Sequence, residues 1–195
     1  MMHLGRYLSG ALSVSRCNRR LHALRDWRGL ALETLGGLFA RGAIFLIESM
    51  PVPVCRRARA RRCKKVRGKD CCGYCATKRE RFFGWRLRLI YTTAGVPVAF
   101  DLLPGGLHDL TPIHELTDAL PGAATVYGDK GDNAAADEMT ARADKLALRD
   151  HRKRLEVPYS QLEAMGVQRL RTRINPGLEL KLHAALLAAT LANLD

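Results

Sequence analysis

Five consecutive apolar residues, Ala43-Ile44-Phe45-Leu46-Ile47, constrain this chain more than any other feature. So short and unbroken a run reads as a strand buried on both faces, because a half-exposed strand alternates apolar and polar positions. Such a strand needs paired neighbours and a covering layer above and below. It ends at Glu48-Ser49-Met50-Pro51-Val52-Pro53, where two prolines without backbone N–H groups argue against further pairing inside a sheet.

The rest of the chain supplies those neighbours. Residues 1–40 read as helix, with Leu21, Leu24, Trp27, Leu30, Leu32 and Leu35 at near-helical spacing and Gly36-Gly37 and Gly42 as breakers. Trp85–Thr92 and Val96–Leu103 are β-rich runs joined by Thr93-Ala94-Gly95, a hairpin signal. A helix over Ile113–Leu120 follows, capped by Asp109 and Pro112. Ala124–Tyr127 is a second short buried strand; residues from Ala134 to Met165 are helix-prone, and Asn175-Pro176-Gly177 turns into a last amphipathic helix. The order predicts a mixed α/β sheet with the strand at 43–47 beside the strand at 124–127 and the 85–103 hairpin on its other side.

Charge narrows the partner. Lys and Arg outnumber Asp and Glu by 32 to 19, for a formal charge of +13, which points to a polyanion: nucleic acid first, an anionic membrane surface second. No uncharged apolar run reaches the roughly 20 residues of a membrane span. The basic, acid-free N-terminus also fits an organellar transit peptide, although a basic helix gives the same pattern. Nine of the fourteen residues from Arg56 to Lys69 are basic. With no hydrophobic period visible, residues 55–81 read as an exposed loop, with Arg56, Arg57, Arg59, Arg61, Arg62, Lys64 and Lys65 facing a DNA backbone. Cys72-Gly73-Tyr74-Cys75 has the spacing of half a zinc site, but a second close pair is lacking, so reduced thiols in a cytoplasm are expected rather than zinc.

Two acids stand at strand ends: Glu48 after Ile47, and Asp129 after Val126-Tyr127-Gly128. Side by side, two such carboxylates would repel unless a cation lay between them, and hard oxygen ligands suit Mg²⁺. Alternatively both simply end strands in solvent. Arg152, Glu156 and Glu163 fall near one helical face, so either glutamate is a candidate third acid, or both belong to a salt-bridged surface helix.

Several stretches in consistent order resemble the DDE transposases of bacterial insertion sequences, in particular the nine-eighty-two family. They are Glu48–Cys55, Gly73-Tyr74-Cys75-Ala76, Phe82–Leu87, Phe100–Pro104, His108–Pro112, Tyr127-Gly128-Asp129-Lys130, Ser160–Gly166 and Arg173–Gly177. The resemblance implies an RNase H-like fold and a catalytic, metal-binding triad of Glu48, Asp129 and Glu156. It further implies two Mg²⁺ ions, with Mn²⁺ as substitute, acting on duplex DNA at transposon ends, and no membrane. Arg152, one turn before Glu156, and Lys130 join the DNA-binding residues. A bacterial cytoplasm, at the nucleoid, is the expected location, and a homodimer is compatible with this reading.

The departures from the family are also informative. The family has Asp where this chain has Glu48. Only twenty-six residues separate Asp129 from Glu156, so one strand and a basic loop implied by the resemblance are missing. Pro158 falls two residues after Glu156, and residues 1–40 look like the tail of a larger N-terminal DNA-binding region preceding a core at 41–195. The expectation is a shortened copy with impaired cleavage. A DNA-binding remnant without cutting activity, or a basic RNA-binding module lacking a known RNA motif, are the competing readings.

Overall fold

In a computed structural model of the chain, residues 13–63, 66–75, 78–107, 114–122, 124–128, 158–170, 172 and 174–193 are described. Helices α1 (Val14–Ala23) and α2 (Arg25–Phe39) lead into β1 (Ile44–Arg56), followed by a 3₁₀ helix, Arg57–Arg62, and a second, Lys69–Cys71. Next come β2 (Cys72–Cys75), β3 (Glu80–Thr92), β4 (Pro97–Pro104), a one-turn α3 (His114–Thr117) and β5 (Thr125–Gly128). Residues 158–164 are helical (α4), and α5 spans Asn175–Ala192.

The sheet is mixed, with order β2-β3-β1-β5, and β4 shares with β2 the outer edge of β3. β1 pairs antiparallel with β3 from Phe45↔Thr92 to Arg56↔Phe82 and parallel with β5 from Ile44↔Thr125 to Ile47↔Gly128. The β3–β4 hairpin turns at Gly95, whose φ of 86° lies in the left-handed region that glycine tolerates. The neighbours expected on each side of the 43–47 run are thus found.

Alternate residues of a strand face opposite layers. Leu46, Met50 and Val52 of β1 join Leu87, Leu89 and Tyr91 of β3 in a core covered by Leu162 of α4 and Leu178, Leu182 and Leu186 of α5. On the opposite face Phe45, Ile47, Ile90 and Val98 are covered by Ala40 and Leu116. This face also buries Arg88 (1% exposed), whose register partners are Ser49 and Asp101, so an opposite charge stands on the adjacent strand.

Several expectations need correction. β1 does not stop before its prolines but runs through Pro51 and Pro53 to Arg56. Two apart, they aim their nitrogens at the same edge, and among the described residues β5 occupies the far edge of β1 only as far as Ile47, so no donor is needed there. Residues 55–81 are not simply an exposed loop. A small cluster of Val66, Cys71 and Phe83 anchors the segment, and the Phe82 ring lies against Gly73 and Gly105, where no Cβ would fit. Gly36-Gly37 does not break α2, and Asn175-Pro176-Gly177 is the first turn of α5, where proline is welcome. Finally, the apolar positions of the N-terminal helices split: Leu32 is buried, whereas Leu21, Leu24, Leu30 and Trp27 (69% exposed) face outward. Among the described residues no helix is long and apolar enough to cross a membrane.

Helix α2 packs on β4 and α5. Arg25 pairs with Glu179 at 2.8 Å. Behind that pair the His183 ring meets Phe100 edge-on, with centroids 5.5 Å apart, and burial beside Arg28 pushes the imidazole pKa down. The close approach depends on Gly36, since a Cβ there would collide with the backbone carbonyl of Val98, while Gly37 faces open space. Gly36→Ala is therefore expected to destabilise the fold by about 1–3 kcal/mol through overpacking. Gly37→Ala should stabilise it by up to about 1 kcal/mol through helix propensity. Urea denaturation of both variants checks the contrast, and equal shifts would contradict it.

Candidate active site

Glu48 lies on β1 one residue beyond the last β1–β5 pair, with the same parity as Leu46 and Met50, so it points to the face covered by α4 and α5. It is half-buried. Tyr91, 1% exposed, sits diagonally across β3, opposite Leu46, and its hydroxyl donates to Glu48 Oε2 at a long 3.4 Å. Burial, then the Glu48 charge, holds the Tyr91 phenol well above its ordinary pKa, so it remains a donor at neutral pH.

A second phenol belongs to the same surroundings. Tyr159 of α4 accepts a hydrogen bond from Gln168 Nε2 at 2.9 Å. Its pKa is raised by burial and then by the negative charges of Cys75, Glu48 and Glu163. Gln168 accepts in turn from Lys78 Nζ, which also pairs with Glu163 Oε1 at 2.6 Å. Glu163 is thus taken up by a surface ion pair, the outcome weighed for it as a salt-bridged helix residue, whereas Glu48 is half-buried beside Tyr91.

The structure brings some sequence-predicted residues into view and not others. Asp129, Lys130, Arg152, Glu156, Lys64 and Lys65 lie outside the described residues. Gly128, one residue before Asp129, is the register partner of Ile47. Arg56 closes β1, and Arg57, Arg59, Arg61 and Arg62 line the exposed 3₁₀ helix that follows. Among the described residues no three His, Cys, Asp or Glu side chains gather to hold a metal ion. The cysteines are free thiols, and burial, then the neighbouring Asp70 and the sulfurs of Cys72 and Cys63, pushes Cys71 up.

One polar constellation escaped the sequence. Asn193, at the end of α5, exchanges amide hydrogen bonds with Gln161 of α4 (3.0 and 3.2 Å) and donates to the Gly95 carbonyl of the β3–β4 turn (3.2 Å). It therefore joins three elements, including the helix that follows Glu156 in sequence. Only the repeated asparagine and glutamine near helix ends could have hinted at it. Asn193→Ala should lower stability by about 1–2 kcal/mol, and adding Gln161→Ala should cost little more, because both changes remove one shared interaction. Additive losses in urea denaturation would refute the coupling.

A family model described as a transposase DDE domain matches residues 40–171, more than half of the 195. The match takes in the whole sheet, α4 and the turn carrying Gln168. No curated protein matches the chain, and no solved structure does.

Proposed function

Because the chain belongs to the transposase DDE-domain family, we propose that it derives from the transposase of a bacterial insertion sequence of the nine-eighty-two type, cutting and joining DNA at the element's ends. The observation that carries the reading is the parallel register of β1 and β5, whose last pair, Ile47↔Gly128, immediately precedes Glu48 and Asp129 in the sequence. Glu48 lies within β1 at the point where its parallel pairing with β5 stops, and in this reading Asp129, next after Gly128 in sequence, shares its crevice. The antiparallel strands β1, β3 and β4, with the short β2 added at the edge of β3, followed by β5 parallel to β1 and with helices on both faces, support an RNase H-like core. Helices α1 and α2 are read as the tail of an N-terminal DNA-binding region, and the cytoplasmic nucleoid as the place of action.

The donor chemistry fits a hard divalent cation: Glu48 offers carboxylate oxygens, one of them beside the Tyr91 hydroxyl. In this reading Glu48, Asp129 and Glu156 would hold Mg²⁺. Bound there, the metal would activate water or a DNA 3′-hydroxyl and stabilise the leaving oxygen of an in-line displacement. The chain itself supplies the rest. Tyr91 steadies one Glu48 oxygen, the Asn193–Gln161 pair fixes α4, and the basic helix 57–62 grips phosphates without reading sequence.

This copy is proposed to be impaired. Glu48 places its carboxylate about 1.5 Å further out than the family's aspartate, more than the roughly 1 Å error that such sites tolerate. A chain that no longer cuts would still hold DNA through its charge.

Two outcomes are expected. Replacing Arg56, Arg57, Arg59, Arg61 and Arg62 with Gln should flatten the salt dependence of duplex binding by about 0.9 in log–log slope for each phosphate no longer neutralised. An unchanged slope would assign binding to another surface. In a nicking assay with Mg²⁺ or Mn²⁺ on DNA bearing the terminal repeats, the unaltered chain should cleave feebly or not at all. Robust turnover abolished by Asp129→Ala would keep the site but overturn the impairment. Turnover that survives Asp129→Ala would overturn both.

A further inference from the structure

Beyond the basic run, one exposed aromatic lies on a charged part of the sheet. Tyr74 of β2 is 52% exposed and belongs to none of the three apolar clusters, so the fold makes no use of its ring. Its backbone, by contrast, is fixed: the Tyr74 carbonyl accepts from Arg86 Nη2 at 3.2 Å. Tyr74 is the direct register partner of Arg81 on β3, and neighbouring cross-strand residues share a face. Together with Arg57 these two line a cleft of about 380 Å³. Arg81 also lines an adjoining cleft of about 280 Å³, into which Arg56, Lys78 and Arg169 bring further positive charge against Glu80.

We propose that Tyr74, Arg81 and Arg57 form a docking platform for an unpaired stretch of DNA, with a base stacked on the Tyr74 ring and its flanking phosphates held by the two arginines. An exposed aromatic ring on a held strand, in a cleft shared with arginines, is a combination that binds single strands, since every base offers a π-face and every linkage a phosphate. In a duplex the base faces are already stacked on their neighbours, so the ring selects unpaired DNA. The platform sits at the far end of β1 from Glu48, because Arg56 pairs with Phe82, next to Arg81. Eight residue steps of strand separate Arg56 from Glu48, about 27 Å. A DNA strand engaged at Glu48 would therefore meet the platform about eight base steps away, where it would hold an unpaired flank. This inference rests on the DNA reading of the site and adds to it a preference for strand form and a second point of attachment.

The test compares binding of a labelled oligothymidylate and a labelled duplex to the full chain by fluorescence anisotropy, with circular dichroism and thermal melting to confirm folding. Tyr74→Ala should weaken oligothymidylate binding about tenfold, within the range of a missing base–aromatic stack, and change duplex affinity less than twofold. Tyr74→Phe, which keeps the ring, should stay near wild type. Arg59→Gln/Arg61→Gln/Arg62→Gln, outside the platform, should weaken both DNA forms. Unchanged oligothymidylate binding by Tyr74→Ala, equal losses on duplex, or a Tyr74→Phe as weak as Tyr74→Ala would each overturn the platform while leaving duplex binding to the basic run intact. Tighter Tyr74-dependent binding of the matching RNA oligomer would overturn its assignment to DNA. Absence of binding to either DNA form would overturn the DNA reading together with the platform.

Discussion

The antiparallel ladder between β1 and β3 is the interaction on which the remaining structure depends. It runs from Phe45↔Thr92 to Arg56↔Phe82, with one irregularity between Pro53 and Cys55. Each strand is thirteen residues long, well above the usual five or six, so a single pairing supports two regions of different chemistry. Its upper part adds β5 and β4, is covered on both faces and presents Glu48. Its lower part adds β2 and the 3₁₀ helices, and carries the arginines. The long ladder holds acid and cations about 27 Å apart, the separation on which the proposed DNA reading draws.

Around that ladder the covering layers are joined by polar groups whose partners lie far away in sequence. Asn193 ties α5 to α4 and to the β3–β4 turn, and Lys78 ties the turn between β2 and β3 to Glu163 and Gln168. The two kinds of tie differ in strength. The Asn193 amide is partly buried, so breaking it leaves groups short of hydrogen bonds. The Lys78–Glu163 pair has side chains 44% and 45% exposed and is screened by water, so it directs the turn more than it stabilises it. The orientation of α4 thus rests on the C-terminal end of α5, and a change there is felt on the face that Glu48 points to.

The sequence disclosed the features that depend on a residue's own pattern. The 43–47 run was readable because five apolar residues leave no polar face, and the 85–103 hairpin because Gly95 marks its turn. Glu48 was readable because it ends an apolar run. What escaped depends on neighbours brought from afar. The passage of β1 through Pro51 and Pro53 follows from where β5 stops. The order in 55–81 follows from Phe82 meeting Gly73 and Gly105, and Gly36 is retained inside a helix because Val98 of β4 lies against it. Tyr74 and Arg81 are seven positions apart, and only the β2–β3 register makes them neighbours. The same limit applies to the proposed triad, of which only Glu48, inside β1 just past its last pair with β5, is described.

The glutamate at position 48 has a consequence set by sheet topology. Its hydrogen-bond donor, Tyr91, stands on β3, while β5 lies on the opposite edge of β1. A carboxylate turned to meet Tyr91 leans toward β3 and away from the edge at which β5 ends. An aspartate on the same Cα would be shorter by one methylene, about 1.5 Å, and would fall short of a hydroxyl that the glutamate meets only at 3.4 Å. The longer side chain therefore adds an internal hydrogen bond and directs one oxygen away from the strand that precedes Asp129. In the proposed reading that is adverse to a shared cation, because two carboxylates bind one metal well only when their oxygens converge on it. In the same reading it leaves DNA binding untouched, since the arginines proposed to carry that binding stand at the other end of the ladder. Loss of cutting with retention of grip is therefore the combination that the proposed reading expects of a glutamate at this position.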